Sequence, residues 1–279
     1  MDRRLGIKQY CPKEYWDEVA EKFRASDGSG LAPVLHPDAP VWFNQLIDDL
    51  QFRAMRRALH VAELSAGSEF LDVGCGTGRW IRRYEEMGFR ASGLDATPGM
   101  LRTARERGTT GPLIAGEAYR LPFEGESFDA VSDVTVVQHI PVTLQTQTLK
   151  EMLRVLKPGG RLILMELIRG RGTHIFPRTP EDWILQVKSA GGTLLGWFGQ
   201  EFLLLDRMFT NLVQSVGSRV RDRDPNVTPT DAARQTSQVR QAYWKIRHAT
   251  TSVAAWTEPT TERVFPGRLA THGVFIFRK

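Results

Sequence analysis

The sequence predicts an α/β fold: a doubly wound sheet of seven mostly parallel strands with helices on both faces. Between residues 69 and 198, short apolar runs alternate with segments whose apolar residues recur at helical spacing. Strand–helix–strand units with short loops build parallel sheets that helices cover. A seventh apolar run, residues 273–277, follows residues 199–272, an interval far longer than the usual connection of about two to six residues.

Each predicted element has its own local signals. Apolar runs bounded by Gly, Pro or polar residues predict strands, and Thr97-Pro98 and Gly88 are typical of a helix start and a helix end. The predicted strands are 69–73, 90–94, 112–117, 128–135, 161–168, 193–198 and 273–277. The predicted helices are 14–24, 41–63, 80–88, 98–108, 143–157 and 181–192, the fifth of which is closed by the run Pro158-Gly159-Gly160.

The order of these elements divides the chain into four parts. Two amphipathic helices precede the first strand, so residues 1–64 are predicted to form a helical cap. A Rossmann-like core follows at 65–200, then a long helical insert that we expect to act as a lid at 201–270, and the last core strand at 271–279. Long insertions of this kind are usually lids or binding elements.

The composition is typical of a globular protein, and the excess of positive charge lies in one segment. The 279 residues are 41% hydrophobic and 25% charged, which is typical of a globular chain. The net charge is +5, and the segment 207–248 alone, with eight Lys or Arg and three Asp, accounts for it. Such a segment is either the solvated face of a helix or a patch that attracts an acidic partner.

Targeting and metal signals are missing from the sequence. The start MDRRLGIKQY leads into no apolar region, and no stretch approaches the roughly 18 apolar residues of a membrane span. Two cysteines make no CxxC pair, and the six histidines have no metal-ligand spacing. We therefore expect a cytoplasmic protein without a membrane partner or a structural metal.

The segment FLDVGCGTGRW, residues 70–80, joins the first predicted strand to a loop with glycines at 74, 76 and 78. Ligands of open α/β sheets bind beyond the carboxyl ends of the strands. A dinucleotide loop has the spacing GxGxxG, but Arg79 stands where its third glycine would be. A Walker loop needs a GK pair, which the sequence lacks. The spacing therefore disfavours both a phosphate and a nicotinamide dinucleotide.

Two carboxylates follow the next two predicted strands. Asp95 ends the second strand, where a carboxylate can accept both hydroxyls of a ribose. The alternative is that Asp95 caps the following helix, but Thr97 is available for that role. Glu117 and Ala118 follow the third strand and suit the edge of an adenine. Together they predict an adenosine that carries something other than phosphate.

The segments FLDVGCGTG, GLDATPGML, GEAYRLPFEGESFDAV, VVQHI and LKEMLRVLKPGGRLIL, from about residue 68 to 167, resemble a class I S-adenosylmethionine-dependent methyltransferase in order and spacing. The resemblance implies that GVFIFRK inserts antiparallel as the last strand. It also implies that S-adenosylmethionine is the cofactor. One position departs from the family's pattern, because Glu117 stands where Asp is commoner. The implied cofactor-binding residues are Asp72, Gly74, Cys75, Gly76, Gly78, Asp95, Ala96, Met100, Glu117, Ala118, Val134, Thr135 and Gln138.

Methyl transfer from a sulfonium is an in-line displacement, for which the enzyme aligns the acceptor and excludes water. A hydroxyl acceptor benefits from a general base, for which His is the usual choice, whereas a neutral amine needs none. His139, in VVQHI, is a candidate base or positioning residue, or a structural residue that contacts the ligand's backbone. His174 is a second candidate base or a simple loop histidine, and His36 is a weaker third.

The acceptor pocket is expected outside the segment that resembles the family. Aromatic side chains there suit a pocket for an apolar or aromatic small molecule, although they can equally form the seam that holds the cap to the core. The candidate substrate residues are Tyr15, Trp16, His36, Phe43, Phe202 and Tyr243.

The sequence thus favours a monomeric or homodimeric enzyme that methylates an O, N or C atom of a small molecule, such as a specialised metabolite. One alternative is a tRNA methyltransferase, because aromatic residues alternate with positive charge in AYWKIRH, residues 242–248. Without a recognisable RNA-binding module, we disfavour a nucleic-acid partner. Another alternative is a catalytically silent partner that keeps the fold.

Overall fold

The computed structural model describes residues 11–23, 30–31, 34–35, 39–170, 174–201, 244–253, 256 and 266–279. Three predicted substrate residues, His36, Phe202 and Tyr243, lie outside the described residues, as does most of the basic segment 207–248.

The described residues alternate between strands and helices, as the sequence predicts. The strands are β1 (Glu69–Val73), β2 (Arg90–Asp95), β3 (Leu113–Ala115), β4 (Phe128–Val134), β5 (Leu156–Leu167), β6 (Thr193–Gln200) and β7 (His272–Arg278). The helices are α1 (Pro12–Phe23), α2 (Val41–Ala62), α3 (Arg79–Glu86), α4 (Pro98–Glu106), α5 (Val142–Val155), α6 (Pro180–Ser189) and α7, residues 244–253.

All seven strands belong to one sheet, in the order β3-β2-β1-β4-β5-β7-β6. β1 to β5 pair in parallel, and β7 runs antiparallel to both of its neighbours, β5 and β6. This confirms the predicted fold class, including the antiparallel last strand. Because β7 lies between β5 and β6, β6 runs in the same direction as the first five strands. Its carboxyl end therefore lies at the same edge of the sheet as the glycine loop.

The main difference from the predicted boundaries is at the start of β5. In the structure, α5 ends at Val155 rather than at residue 157, and β5 begins at Leu156 rather than at residue 161. Leu156 is fully buried and pairs with Phe128 before a register shift in the β4–β5 ladder. Pairing of this buried leucine extends the strand, so Pro158-Gly159-Gly160 lies in its irregular first part.

The core has two layers, one on each face of the sheet. Side chains alternate along β1, so that Phe70 points to the face covered by α2 and α3, and Leu71 points to the face covered by α5 and α6. Met55 of α2 packs in the first layer, and Trp183 of α6 packs in the second. The carboxyl-terminal half of α2 is therefore part of the core, although it lies within the predicted cap.

Helix α1 lies at the carboxyl edge of the sheet. Its Val19 and Ala20 pack against Met100 of α4, next to the partly buried Tyr15 and Trp16. In the part of the chain that the structure describes, no helix is both long and apolar enough to cross a bilayer. Those same residues contain no cluster of three or more His, Cys, Asp or Glu that could hold a metal ion.

Candidate active site

The glycine loop leaves β1 at the carboxyl edge of the sheet and leads into α3. Gly74, Gly76 and Gly78 have φ of 71°, 51° and 72°, a region that side-chain-bearing residues disfavour. A Cβ on Gly74 would also lie only 2.6 Å from Cγ1 of Val136. Glycine is needed here both for the backbone conformation and for the close approach of the loop after β4.

The amides of the glycine loop are used within the protein. The amides of Gly74 and Cys75 both donate to the carbonyl oxygen of Leu94, at 2.7 and 3.0 Å. The amide of Gly76 donates to Oδ2 of Asp95 at 2.9 Å. Phosphate-binding loops leave such amides pointing at the anion. The geometry therefore supports the inference from spacing that this loop holds no phosphate.

The carboxylate of Asp95 joins the glycine loop to the start of α4. Its Oδ1 accepts from the amide of Thr97 at 2.8 Å, in addition to the bond from Gly76. Thr97 occupies the N-cap position, but its side chain makes no capping hydrogen bond. The expectation that Thr97 relieves Asp95 of a capping role is therefore wrong. Each carboxylate oxygen can accept a further hydrogen bond, so a ribose remains compatible with this fixed position.

Asp72 is buried beneath the loop with only 2% of its surface exposed. Its Oδ1 accepts from the hydroxyl of Ser132 at 2.7 Å, whereas Oδ2 finds no donor among the described groups. Burial raises the pKa of this carboxyl to about 7. A buried acceptor without a donor is costly. The α-ammonium group of a methionyl moiety would supply a donor, so this orphan oxygen and the glycine cradle fit S-adenosylmethionine.

The residues expected around the adenine lie next to Asp95. The amide of Gly116 donates to the carbonyl of Asp95 at 3.1 Å, which brings the half-buried Glu117 to the end of β2. Burial is the main cause that raises the pKa of Asp95, and the charge of Glu117 contributes to it. Three further predicted residues, half-buried Ala96 and buried Met100 and Ala118, surround the same edge.

The loop after β4 forms the wall opposite the glycine loop. Val134 ends the strand, Thr135 has φ of 60°, and the amide of Thr135 donates to the carbonyl of Met165 at 2.8 Å. Gln138 lies in a short 3-10 helix, Val137–His139. Its Oε1 accepts from the amide of Leu167 at 2.8 Å, so its side chain is held by β5.

The structure brings together both candidate histidines and two candidate substrate residues. The rings of His139 and His174 stack with centroids 5.3 Å apart. Tyr15 stacks on His174 at 4.5 Å, with its hydroxyl oxygen 3.3 Å from Nε2, and Trp16 meets His139 edge-on at 5.1 Å. We call these four residues the aromatic cluster. It joins α1 to the loops after β4 and β5.

Hydrogen bonds define the protonation of His139. Nδ1 lies 2.9 Å from the carbonyl oxygen of His174, an acceptor, so Nδ1 carries the proton. Nε2 lies 3.2 Å from Nε2 of Gln138, whose amide orientation follows from its bond to Leu167. Burial lowers the pKa of His139 to about 4. Because both ring nitrogens are engaged within the protein, the geometry favours a neutral, positioning histidine over a general base at this residue.

Phe43 lies in a separate place. It is 1% exposed and packs with Ile47, Leu50 and Trp244 between α2 and α7. Its ring lies 5.6 Å from that of Trp244, and the guanidinium of Arg247 covers it at 4.3 Å. For Phe43 the structure favours the seam between helices over the substrate pocket.

Two features of the site had not been predicted. Gly30 and Val34 lie against the glycine loop, where the hydroxyl of Thr77 donates to the carbonyl of Gly30 at 3.2 Å. Asp133 and Glu166, both fully buried, lie behind the loop after β4. A sequence signal for the second feature existed, since an acid within an apolar strand such as RLILMELI must be paired or protonated.

Comparison with known proteins agrees with this geometry. Residues 71–164 match the model of a family described as a methyltransferase domain. A demethylmenaquinone methyltransferase of Listeria monocytogenes is 36% identical over 125 residues, covering 42% of this chain and 52% of the relative. Methyltransferase GfsG of Streptomyces halstedii is 30% identical over 169 residues, covering 57% and 58%. The chain thus spans about half the length of the curated relatives that it matches.

A solved structure is similar in fold over a longer part of the chain than the family model matches. A complex between the Haloferax volcanii Trm112 methyltransferase activator and a methyltransferase has a TM-score of 0.57 at 17% identity, covering 98% of this chain and 99% of that one. At this identity the likeness concerns the fold alone. Residues 71–164 are thus similar to a methyltransferase domain, within a chain whose fold is similar to that of a methyltransferase of known structure.

Proposed function

We propose that the protein transfers a methyl group from S-adenosylmethionine to an oxygen, nitrogen or carbon atom of a small molecule. The observation that carries this proposal is the aromatic cluster, in which Tyr15, Trp16, His139 and His174 meet at the edge where the glycine loop lies. Aromatic rings with a few polar groups are typical of pockets for small organic molecules. A specialised metabolite is our proposed acceptor, because the long interval before β7 resembles small-molecule methyltransferases of that kind.

The matched relatives support the choice of a small acceptor. The Listeria protein is named for demethylmenaquinone, a small molecule. In this chain, the acceptor would lie between the aromatic cluster and the glycine loop. Helix α1 would then exclude water, because its Tyr15 and Trp16 cover the two histidines and its Val19 and Ala20 cover Met100. Exclusion of water strengthens the electrostatic interactions inside such a site.

When bound, S-adenosylmethionine supplies an electrophilic methyl group on a positively charged sulfur. The protein's task is then mainly alignment, which Asp95, the glycine loop and the wall 134–138 provide. For a hydroxyl acceptor, His174 would receive the proton, assisted by the hydroxyl of Tyr15 at 3.3 Å. Burial lowers the pKa of His174 and keeps its ring neutral, the form that accepts a proton.

The first experiment measures binding of S-adenosylmethionine and S-adenosylhomocysteine by titration calorimetry, with wild type and Asp95→Ala. Loss of the carboxylate should weaken binding at least about tenfold, because it removes the ribose acceptor and frees the amides of Gly76 and Thr97. Asp129→Ala, which breaks the ion pair with Lys157, is the matched control, and it should bind normally. No binding by the wild type would refute the proposed function, and unchanged binding by Asp95→Ala would refute the ribose assignment.

A second assay tests methyl transfer itself. Labelled S-adenosylmethionine is incubated with a panel of phenols, quinols, small amines and carbon acids, and methylated products are identified by mass spectrometry. Transfer to one class would define the acceptor atom. Tight cofactor binding without transfer to any class would instead favour the catalytically silent alternative.

The tRNA alternative rests on the basic aromatic pattern of residues 242–248. Two members of that pattern are already engaged, because Trp244 packs against Phe43 and Arg247 covers both rings, at 4.3 and 5.2 Å. Stacking on bases would require these contacts to open. Binding of bulk tRNA that weakens steeply with salt would revive this alternative, and salt-insensitive or absent binding would count against it.

A further inference from the structure

The loop after β4 holds an unfavourable conformation. Thr135, with φ of 60°, turns the chain from β4 towards the 3-10 helix Val137–His139. Such a conformation is costly for a β-branched residue and persists only where surrounding contacts enforce it. The question is which contacts hold this loop against the glycine loop.

Glu166 of β5 is the main anchor of the loop. Its side chain is fully buried, and its Oε1 accepts from the amides of Val136 and Val137 at 3.0 and 2.8 Å. Its Oε2 accepts from the amide of Gln138 at 3.0 Å. Three consecutive backbone donors thus converge on one carboxylate. Charge-assisted hydrogen bonds of this kind are short and directional.

Asp133 is the buried neighbour of Glu166. Its Oδ1 accepts from the amide of Val136 at 3.1 Å, and its side chain is hydrogen-bonded to Glu166. Two buried carboxylates in contact cannot both be ionised. Burial, together with the negative charge of its neighbour, raises the pKa of Glu166, and burial raises that of Asp133 to about 7. The pair therefore shares one proton at neutral pH.

The amide donors are divided unequally between the two carboxyl groups. Glu166 accepts from three consecutive amides, and the Oδ1 of Asp133 accepts from that of Val136. The hydrogen bond between the two side chains carries the shared proton and contributes to the raised pKa of Glu166. Glu166 is therefore the main side-chain anchor of this loop.

The anchored loop contacts both sides of the site. The methyl groups of Val136 occupy the space that a Cβ on Gly74 would need. Two residues further on, Gln138 holds the ring of His139. A shift of this loop would therefore move the wall of the glycine loop, where the methyl donor is proposed to bind, together with the ring of His139, near which the methyl acceptor is proposed to lie.

We propose that Glu166 is a positioning residue that sets the distance between the glycine loop and the 3-10 helix bearing His139, with Asp133 as its buried hydrogen-bonded partner. This inference rests on the proposed function. Neither residue is proposed to touch the cofactor or the acceptor.

The test compares two substitutions that each replace one carboxyl by an amide. Glu166→Gln turns one of the accepting oxygens into a donor facing backbone amides, so S-adenosylhomocysteine binding should weaken at least about tenfold. Asp133→Asn keeps a side chain of the same shape that can donate to or accept from Glu166, and it should bind within about threefold of wild type. Titration calorimetry measures binding, and the thermal midpoint measures stability.

The asymmetry distinguishes positioning from a merely structural role. If Glu166→Gln lowers the thermal midpoint but binds like wild type, or if both variants lose binding equally, the proposal is refuted. Should Glu166→Gln not fold, Val136→Ala tests the same link at a half-buried residue, with binding expected to weaken at least about threefold, and unchanged binding would refute it. A wild type that does not bind S-adenosylhomocysteine refutes the proposed function instead.

Discussion

The proposed site has a methyl-donor side, at the glycine loop, and a methyl-acceptor side, at the aromatic cluster, and the two sides are built in different ways. On the donor side, Gly74 to Gly78 and Asp95 lie within one strand–helix–strand unit, and backbone conformation and amide bonds define them. On the acceptor side, Tyr15 meets His174 across 159 residues of sequence. Backbone requirements restrict which residues a position accepts, so they leave a local pattern. Contacts between distant rings restrict composition far less, and they depend on the whole fold.

The largest expected effect tests the conformational requirement on the donor side. Gly74→Ala should weaken S-adenosylhomocysteine binding at least about a hundredfold, because the new methyl group overlaps Val136 and the residue keeps a positive φ. Gly67→Ala is the matched control, since Gly67 has φ of 86° but no atom within 4 Å of the added carbon.

Both glycine variants should lose some thermal stability, because both place a side chain in a left-handed conformation. Only Gly74→Ala should lose binding. Equal binding by the two variants would show that the close approach of Val136 to the loop has no role in holding the cofactor.

An intermediate effect is expected on the acceptor side. Once an acceptor is known, His174→Ala and Tyr15→Phe should each lower turnover at least about tenfold for a hydroxyl acceptor, because proton transfer loses its base or the base's partner. S-adenosylhomocysteine affinity should stay within about twofold. The exposed His60→Ala is the control for histidine loss. Turnover that survives both substitutions would indicate an acceptor that needs no base.

The smallest effect concerns the stability of the ligand-free protein. The pKa of Asp72 is raised from 3.8 to about 7, so the folded state keeps a proton that the unfolded chain releases. Stability from this group is therefore present at low pH and is lost as the pH rises towards and through 7. The surrounding charged and titratable groups are Arg79, Tyr84, Asp95 and Asp133.

Differential scanning fluorimetry of wild type and Asp72→Asn between pH 5 and 8 checks this expectation. The midpoint of the variant should fall at least about 2 °C less over this range, because its amide cannot lose a proton. Parallel curves for the two proteins would mean that Asp72 ionises normally in the folded state.

Much of the fold was predictable from the sequence, because each strand of the core is bounded by its own turn residues. The antiparallel place of β7 followed from the resemblance of GVFIF to a known family. The start of β5 was not predicted. The run Pro158-Gly159-Gly160 indicates a break between helix and strand, but the buried Leu156 already pairs with Phe128, so the strand begins before this run. The conformation of the glycine loop was predictable from glycine spacing. Phe43 was misleading, because an aromatic ring in a seam and one in a pocket look alike in sequence.

The capping role of Asp95 shows a second limit of sequence reasoning. A threonine at the N-cap position suggests a side-chain cap, but the choice between Thr97 and Asp95 depends on how the carboxylate is already held by Gly76. The pairing of Asp133 with Glu166 is similar. Each acid is visible within an apolar strand, but their contact depends on the register of β4 against β5.

The antiparallel insertion of β7 has a consequence for how such a protein can change. Gln200 and His272 are register partners, so the two ends of the intervening chain are fixed side by side in the sheet. The entropy of closing a loop grows slowly with length, by about 0.6 kcal/mol for each doubling. A change in the length of the segment between these two residues therefore costs little loop-closure entropy, as long as Ala270 stays in the core and Trp244 stays packed against Phe43. Under the proposed function, the chain between the last two strands can then vary while β1, β2 and the glycine loop stay unchanged.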